Sequence, residues 1–349
     1  MKYLLLLLLF SVQLVFVQKK DFSKLLNTYQ TTKNFNGVVL LATNGKIDFL
    51  GGTGIANRQQ ATKIQTDTKF KIASVTKTFT AVLILQLYEQ GKLDLYATIG
   101  KYLPSYAGEA RDKATIYNLL TYSAGIPDCE GETGMAVYQK PLPVDEFITQ
   151  YCSGQLEAEP GQQFSYNNSG YIILGRIIEE VTGKSFARNL EEKILVPSGM
   201  KNTSMLSSQN IIGGLASAYT FNDSTKTFYN EAPYFIENFF SSAAMYSTVE
   251  DLLKFDQGIF GYKIIKKESV DLMIKPNAAL GDVGLGFWYT KGYDKINVPY
   301  VYRPGGILGS AANWIHILNS NQTIIVFSNT NATNLFEMSQ QLYQISTSH

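Results

Sequence analysis

Strand signals crowd the two ends of this chain and are scarce between them, which limits the folds open to it more than any other feature. Near the N-terminus Gly37–Thr43 and Lys46–Leu50 flank Asn44-Gly45, and an Asn-Gly pair between apolar runs is the strongest short-range hairpin signal. Near the C-terminus Leu285–Thr290, Val298–Arg303, Ala312–Leu318 and Thr323–Ser328 read as strands, with Asn319-Ser320-Asn321 turning between the last two. The middle reads as helices and loops, with helices expected over Ala114–Leu120, Pro143–Tyr151, Ser169–Val181, Ser185–Leu195 and Thr248–Gln257. Helical patterns also occupy Asp21–Thr32 and Ala332–Ile345. The expected fold is therefore α/β (α+β): a mostly antiparallel sheet built from both chain ends and flanked by helices, with an inserted helical subdomain. The sheet unit takes about residues 19–75 and 281–349, the helical unit about 76–280.

Composition narrows the function classes. The chain has 349 residues, 45% hydrophobic and 17% charged, so a large core is available. Its net charge of +1, without basic or acidic runs, gives no reason to propose a nucleic acid partner. Met1-Lys2 followed by the apolar run Tyr3–Val17 has the layout of a secretory signal. We therefore expect a signal peptide at residues 1–18, a mature domain over 19–349, and a periplasmic or secreted location. Membrane attachment enters only if the signal stays uncleaved, and a monomer is expected. Cys129 and Cys152 could form a bridge or remain two buried thiols, and sequence leaves both open. Two cysteines and two histidines argue against a zinc site, and no motif calls for a cofactor. His316 falls in a strand pattern and His349 ends the chain. A serine hydrolase with this inventory needs a base other than histidine.

Phe70-Lys71-Ile72-Ala73-Ser74-Val75-Thr76-Lys77 runs into the apolar segment Ala81–Leu87, with Gly91 where a helix C-cap belongs. On a helix, residues three apart share a face, which brings Ser74 Oγ and Lys77 Nζ within reach of each other. A hydroxyl is a weak nucleophile until an adjacent base takes its proton. The helix start adds unpaired N–H groups where an oxyanion would form. A serine in this place can also be a plain N-cap. The pattern alone is weak, because Ser198-Gly199-Met200-Lys201 matches it too, although a glycine and a following Asn202-Thr203-Ser204 deny that copy a helix.

Two further stretches carry polar groups suited to the same chemistry. Ser165-Tyr166-Asn167-Asn168 enters the expected helix at Ser169; a tyrosine beside positive charges has its pKa drawn down and can shuttle a proton. Arg303-Pro304-Gly305-Gly306 puts a cation at a strand end followed by glycines, which let backbone N–H groups approach a ligand.

In this order, Ser74-Val75-Thr76-Lys77, Tyr166-Asn167-Asn168 and a cation-x-Gly-Gly strand resemble the serine β-lactamase and penicillin-binding-protein superfamily, specifically its class C β-lactamase-like branch. The segments Leu119–Pro127, Gly170–Glu179, Val196–Met200 and Ser242–Thr248 look like family segments as well, and the resemblance covers about residues 36–345. It implies that Ser74 is acylated, that Lys77 and Tyr166 share general-base and general-acid work, and that Asn168 orients them. The N–H groups of Ser74 and Gly306 would form the oxyanion hole, and Arg303, Gly305 and Tyr122 would contact substrate. The chain departs from the family at Arg303-Pro304-Gly305, where Lys or His, then Thr, Ser or Gly, then Gly is usual. Arginine can bind a carboxylate and bias Tyr166 but carries no proton, and Pro304 offers neither hydroxyl nor N–H. The expected function is an exported serine hydrolase that forms an acyl-enzyme on a small amide, ester or D-peptide. The alternative, motivated by Arg303-Pro304, is a non-catalytic protein that holds cell-wall peptides on the same fold.

Overall fold

The computed structural model describes residues 20–348; the expected signal peptide at 1–18 and His349 lie outside this range. Helix α1 (20–33) leads into strands β1 (Gly37–Thr43) and β2 (Lys46–Thr53). At the turn between them Asn44 and Gly45 both take positive φ, 51° and 75°, the conformation a tight two-residue hairpin needs. The longest helices of the middle region are α2 (Thr76–Glu89), α3 (Ser169–Thr182) and α4 (Val249–Phe260). The chain then returns as β3 (Trp288–Thr290), β4 (Tyr300–Ile307), β5 (Ser310–Ile317) and β6 (Gln322–Ser328), and closes with helix α5 (Leu335–Thr347).

These strands form one antiparallel sheet in the order β3-β4-β5-β6-β1-β2. The two chain ends are seamed along β1 and β6, in register from Gly37↔Ser328 to Thr43↔Gln322. The expected architecture, a sheet from both ends around a helical middle, is the one observed. Side chains alternate between faces. Val38, Leu40 and Ala42 enter a large core with α2 and α4, while Val39 and Leu41 pack against Phe22 and Leu26 of α1 and Met338 and Leu342 of α5. With both faces covered, β6 is buried along its whole length, which is why it reads as a continuous apolar run.

Helix α2 runs through the middle of the large core, buried at every position from Thr76 to Leu87. Its polar members are satisfied locally: Thr78 Oγ1 donates to Gly286 O at 2.8 Å and Thr80 Oγ1 to Ser241 O at 2.7 Å. Gly91, at φ 66°, ends it as the sequence predicts.

The boundaries differ where packing overrides local pattern. The helix expected over Ser185–Leu195 breaks into Phe186–Leu190, a widened π segment Glu191–Leu195 and a last turn Val196–Ser198 stopped by Gly199 at φ 67°. The strand expected from Leu285 begins only at Trp288, and the one expected to end at Arg303 runs on to Ile307. Cys129 and Cys152 are free buried thiols.

Candidate active site

Ser74 is delivered by a turn held from three sides. The preceding strand Phe70–Lys71 pairs with Met245–Ser247, and Ile72 N–H donates to Met245 O at 3.0 Å. Ala73 is forced to φ 47°, a conformation costly for a residue with a side chain and kept only where surroundings impose it. Ser74 then lies in a single 3₁₀ turn, Ala73–Val75, ahead of α2 rather than in its first α-turn. The side chain does not cap the helix: the N-cap position is Val75 and makes no side-chain cap bond. Strand β4 closes the third side. A Cβ on Gly305 would sit 2.5 Å from Ile72 O and 3.2 Å from Ser74 N, so only glycine lets the strand lie against the Ser74 backbone.

Free of a capping role, Ser74 Oγ accepts from Lys77 Nζ at 3.1 Å and from Tyr166 OH at 2.8 Å. Lys77 is fully buried and spends its other donors on Asn168 Oδ1 at 2.6 Å and Ser242 O at 3.2 Å. Burial pushes its pKa down, with the neighbouring Arg303 charge acting the same way. Asn168 can hold Lys77 because Asn167 takes over the start of α3, accepting from Gly170 N–H at 2.9 Å. Its amide is fixed from behind, Nδ2 donating to Glu130 Oε1 at 2.8 Å.

Tyr166 has its ring 39% exposed on the cleft wall and its hydroxyl turned inward to Ser74. Burial of that end would raise its pKa, but the charges of Lys77 and Arg303 outweigh this and bring it down to about 8. Arg303 is buried completely. Its Nε donates to Ser74 O at 2.8 Å, Nη1 to Tyr122 OH at 2.9 Å and Nη2 to Tyr166 OH at 3.4 Å. That placement corrects the expectation that Arg303 meets a substrate carboxylate: the guanidinium pins the Ser74 turn and acts on Tyr166 from within. Tyr122, also expected to touch substrate, is 2% exposed and strained at φ 54°; it packs behind Tyr166 with ring centroids 4.8 Å apart.

The cleft itself has a volume of about 390 Å³ and is bordered by Ser74, Phe164, Tyr166, Trp288, Pro304, Gly305 and Gly306. Nothing crowds the Cα of Gly306, so its backbone faces open space beside Ser74. The structure thus brings Ser74, Lys77, Tyr166, Asn168, Gly305 and Gly306 together and sets Arg303 and Tyr122 one layer back. Sequence reasoning missed Phe164 and Trp288 as aromatic walls and Glu130 as the brace of Asn168. Glu130 lies in the loop after Gly125, where no periodicity marks it. The competing Ser198 and Lys201 pair is split by the left-handed Gly199 and takes no part.

The family model described as Beta-lactamase matches residues 22–346. A penicillin-binding protein of Bacillus subtilis is 28% identical over 333 residues, which cover 89% of this chain and 72% of that protein. A teichoic acid D-alanine hydrolase of Staphylococcus aureus is 26% identical over 250 residues, 72% of this chain and 60% of its own length. Among solved structures, the D-amino acid amidase of Ochrobactrum anthropi SV3 superposes with a TM-score of 0.80 at 20% identity, covering 94% of this chain and 99% of that one. The family match leaves almost none of the described chain outside it: the protein belongs to the β-lactamase family and is a serine hydrolase.

Proposed function

We propose that the protein is an exported, monomeric hydrolase that acylates Ser74 with a small amide, ester or D-peptide and releases the acyl group to water. The observation that carries this reading is the placement of Ser74 Oγ 2.8 Å from Tyr166 OH and 3.1 Å from Lys77 Nζ at an open cleft. As Oγ attacks the substrate carbonyl, Tyr166 in its phenolate form takes the hydroxyl proton, and Lys77 steadies the negative charge. The carbonyl oxygen becomes an oxyanion received by the N–H groups of Ser74 and Gly306. Tyr166 then hands its proton to the leaving nitrogen or oxygen. Water enters in its place, and the same steps in reverse order free the acid and restore Ser74.

The substrate class draws support from two sides. A D-amino acid amidase and a D-alanine hydrolase are among the similar proteins. Pro304 at the cleft wall supplies no N–H or hydroxyl, and Arg303 is buried, so the cleft offers little to a β-lactam carboxylate. The apolar walls Phe164, Tyr166 and Trp288 suit an uncharged acyl group. The test is intact-mass spectrometry after incubation with a fluorophosphonate and with a panel of esters, D-amino acid amides and β-lactams. A single adduct on the wild type, absent from Ser74→Ala, is expected; equal labelling of both, or of neither, sinks the reading.

A further inference from the structure

On the other face of β4 lies a second cavity of about 500 Å³, bordered among others by Asp282, Tyr293, Tyr300, Tyr302, Pro304 and Asn313. The alternation of the strand explains the separation: Tyr300 belongs to the core on one side of the sheet and Val301 to the core on the other. Asn313 stands opposite Pro304 in the β4–β5 register and so shares its face.

Asn313 is only 2% exposed, and its amide orientation is fixed. Nδ2 donates to Ser339 Oγ at 2.8 Å, and that hydroxyl gives its own proton to Leu335 O at 2.8 Å. Ser339 can therefore only accept, which leaves Asn313 Oδ1 as a buried acceptor with no partner. That oxygen has almost no accessible surface, so Asn313 is a fixed part of the cavity wall and not a contact for a ligand. The remaining border supplies aromatic faces and the carboxylate of Asp282. No lysine or arginine borders the cavity, and Lys291 and Lys295 of the neighbouring loop stay outside it. Burial, then the nearby Asp282 charge, raises the pKa of Tyr302, so its hydroxyl remains neutral beside that carboxylate. One negative charge and several tyrosine faces together suit a cation.

The two cavities meet at Pro304, which borders both. Strand β3 covers only Tyr300–Tyr302, so no strand covers the edge of β4 from Arg303 onward. Pro304, at that edge, is the shared border between the Ser74 cleft and the tyrosine cavity. We propose that the tyrosine cavity is a subsite for an organic ammonium group at the far end of the substrate whose carbonyl lies at Ser74. The coupling to substrate rests on the hydrolase reading above; the binding site does not.

Calorimetry with butylammonium on the Ser74→Ala protein tests the site without turnover. Saturable binding is expected, with butan-1-ol, its neutral counterpart, at least about tenfold weaker. Asp282→Asn should weaken butylammonium about tenfold; Asp282 is exposed and sits at φ 59°, which asparagine tolerates, so the variant folds. Absence of saturable binding, equal binding of the alcohol, or unchanged binding in Asp282→Asn overturns the proposal. In the active protein, Asp282→Asn should raise KM for an ammonium-tailed ester about tenfold more than KM for its neutral isostere, with the ratio of kcat values unmoved. An unchanged KM ratio also overturns it. Failure of Ser74 to label would fell the hydrolase reading and leave the calorimetry to decide this one.

Discussion

Two clusters of buried polar groups share the inner face of the sheet and are built on opposite principles. In the first, Asp256 of α4 accepts from Trp314 Nε1 at 2.8 Å and Thr323 Oγ1 at 2.7 Å, with His316 Nδ1 at 3.0 Å. A single carboxylate is met by donors on every side, and the His316 ring is stacked on Phe260 with centroids 3.5 Å apart. In the second, Lys77 and Arg303 are both fully buried, and neither makes an ion pair among the described residues. Their partners are hydroxyls, an amide and backbone carbonyls, and the nearest brace, Glu130, is reached only through Asn168. The first cluster turns its donors onto its own carboxylate; the second aims its positive charge at Ser74 and Tyr166. It also stores strain beside the nucleophile, at Ala73 and Tyr122. Burial of charge marks both regions, so burial alone does not mark a site. What the charge is aimed at does.

The largest expected effect tests that difference directly. Lys77→Met keeps the shape of the side chain and removes the charge, and kcat/KM should fall about 10³-fold or more, roughly 4 kcal/mol of transition-state stabilisation. Thermal unfolding should move little, because relief of an unpaired buried cation offsets the loss of its hydrogen bonds to Asn168 Oδ1 and Ser242 O. A melt lowered by many degrees would show that Lys77 is structural after all.

Asp256→Ala is the mirror experiment. It strands the Trp314 and Thr323 donors and should cost about 3 kcal/mol of stability in urea unfolding. The fluorophosphonate adduct on Ser74 should persist below the transition. Loss of labelling in the folded protein would mean that the two clusters are coupled and the comparison fails.

Most of this contrast was legible in the sequence only in outline. The apolar runs and the Asn44-Gly45 turn specify the sheet, because alternation and turn chemistry are local. The Ser74 and Lys77 spacing is local too, and the structure puts those atoms within reach of each other. Arg303 reads as a cation at the end of a strand, hence at a cleft; its burial comes from Tyr122, 181 residues distant, and from Gly305 drawing β4 against the Ser74 turn. Glu130 and the tyrosine cavity likewise depend on contacts between segments far apart, which no periodicity encodes. His316 reads correctly as a strand residue, yet its partner Asp256 lies on a helix 60 residues away.

The charge aimed at Tyr166 also sets a pH dependence. With the Tyr166 pKa drawn down to about 8, the phenolate proposed to accept the Ser74 proton forms as pH rises through that value. kcat/KM should therefore climb with an acid limb near 8 and reach its plateau above it. Arg303→Gln keeps a donor for Ser74 O and deletes the charge, which moves the tyrosine back toward its ordinary value. The limb should shift upward by about one unit. A downward or absent shift in the pH profile would show that Arg303 serves only as a pin.

The smallest effect belongs to Gly306, and its smallness is informative. Gly305 needs to lack a side chain because Ile72 O and Ser74 N press against it; Gly306 has no neighbour that a Cβ would meet. If its contribution is the backbone N–H toward the oxyanion, alanine retains that donor, since strand β4 is extended there and glycine's freedom is not required. Gly306→Ala should change kcat/KM by no more than about twofold, within the few tenths of a kcal/mol that a methyl on an open wall produces. A loss of about tenfold or more would mean that the space over Gly306, and not only its N–H, is occupied by substrate during acylation. The positive potential of the second cluster would then act on a ligand lying closer to β4 than the Ser74 geometry alone requires.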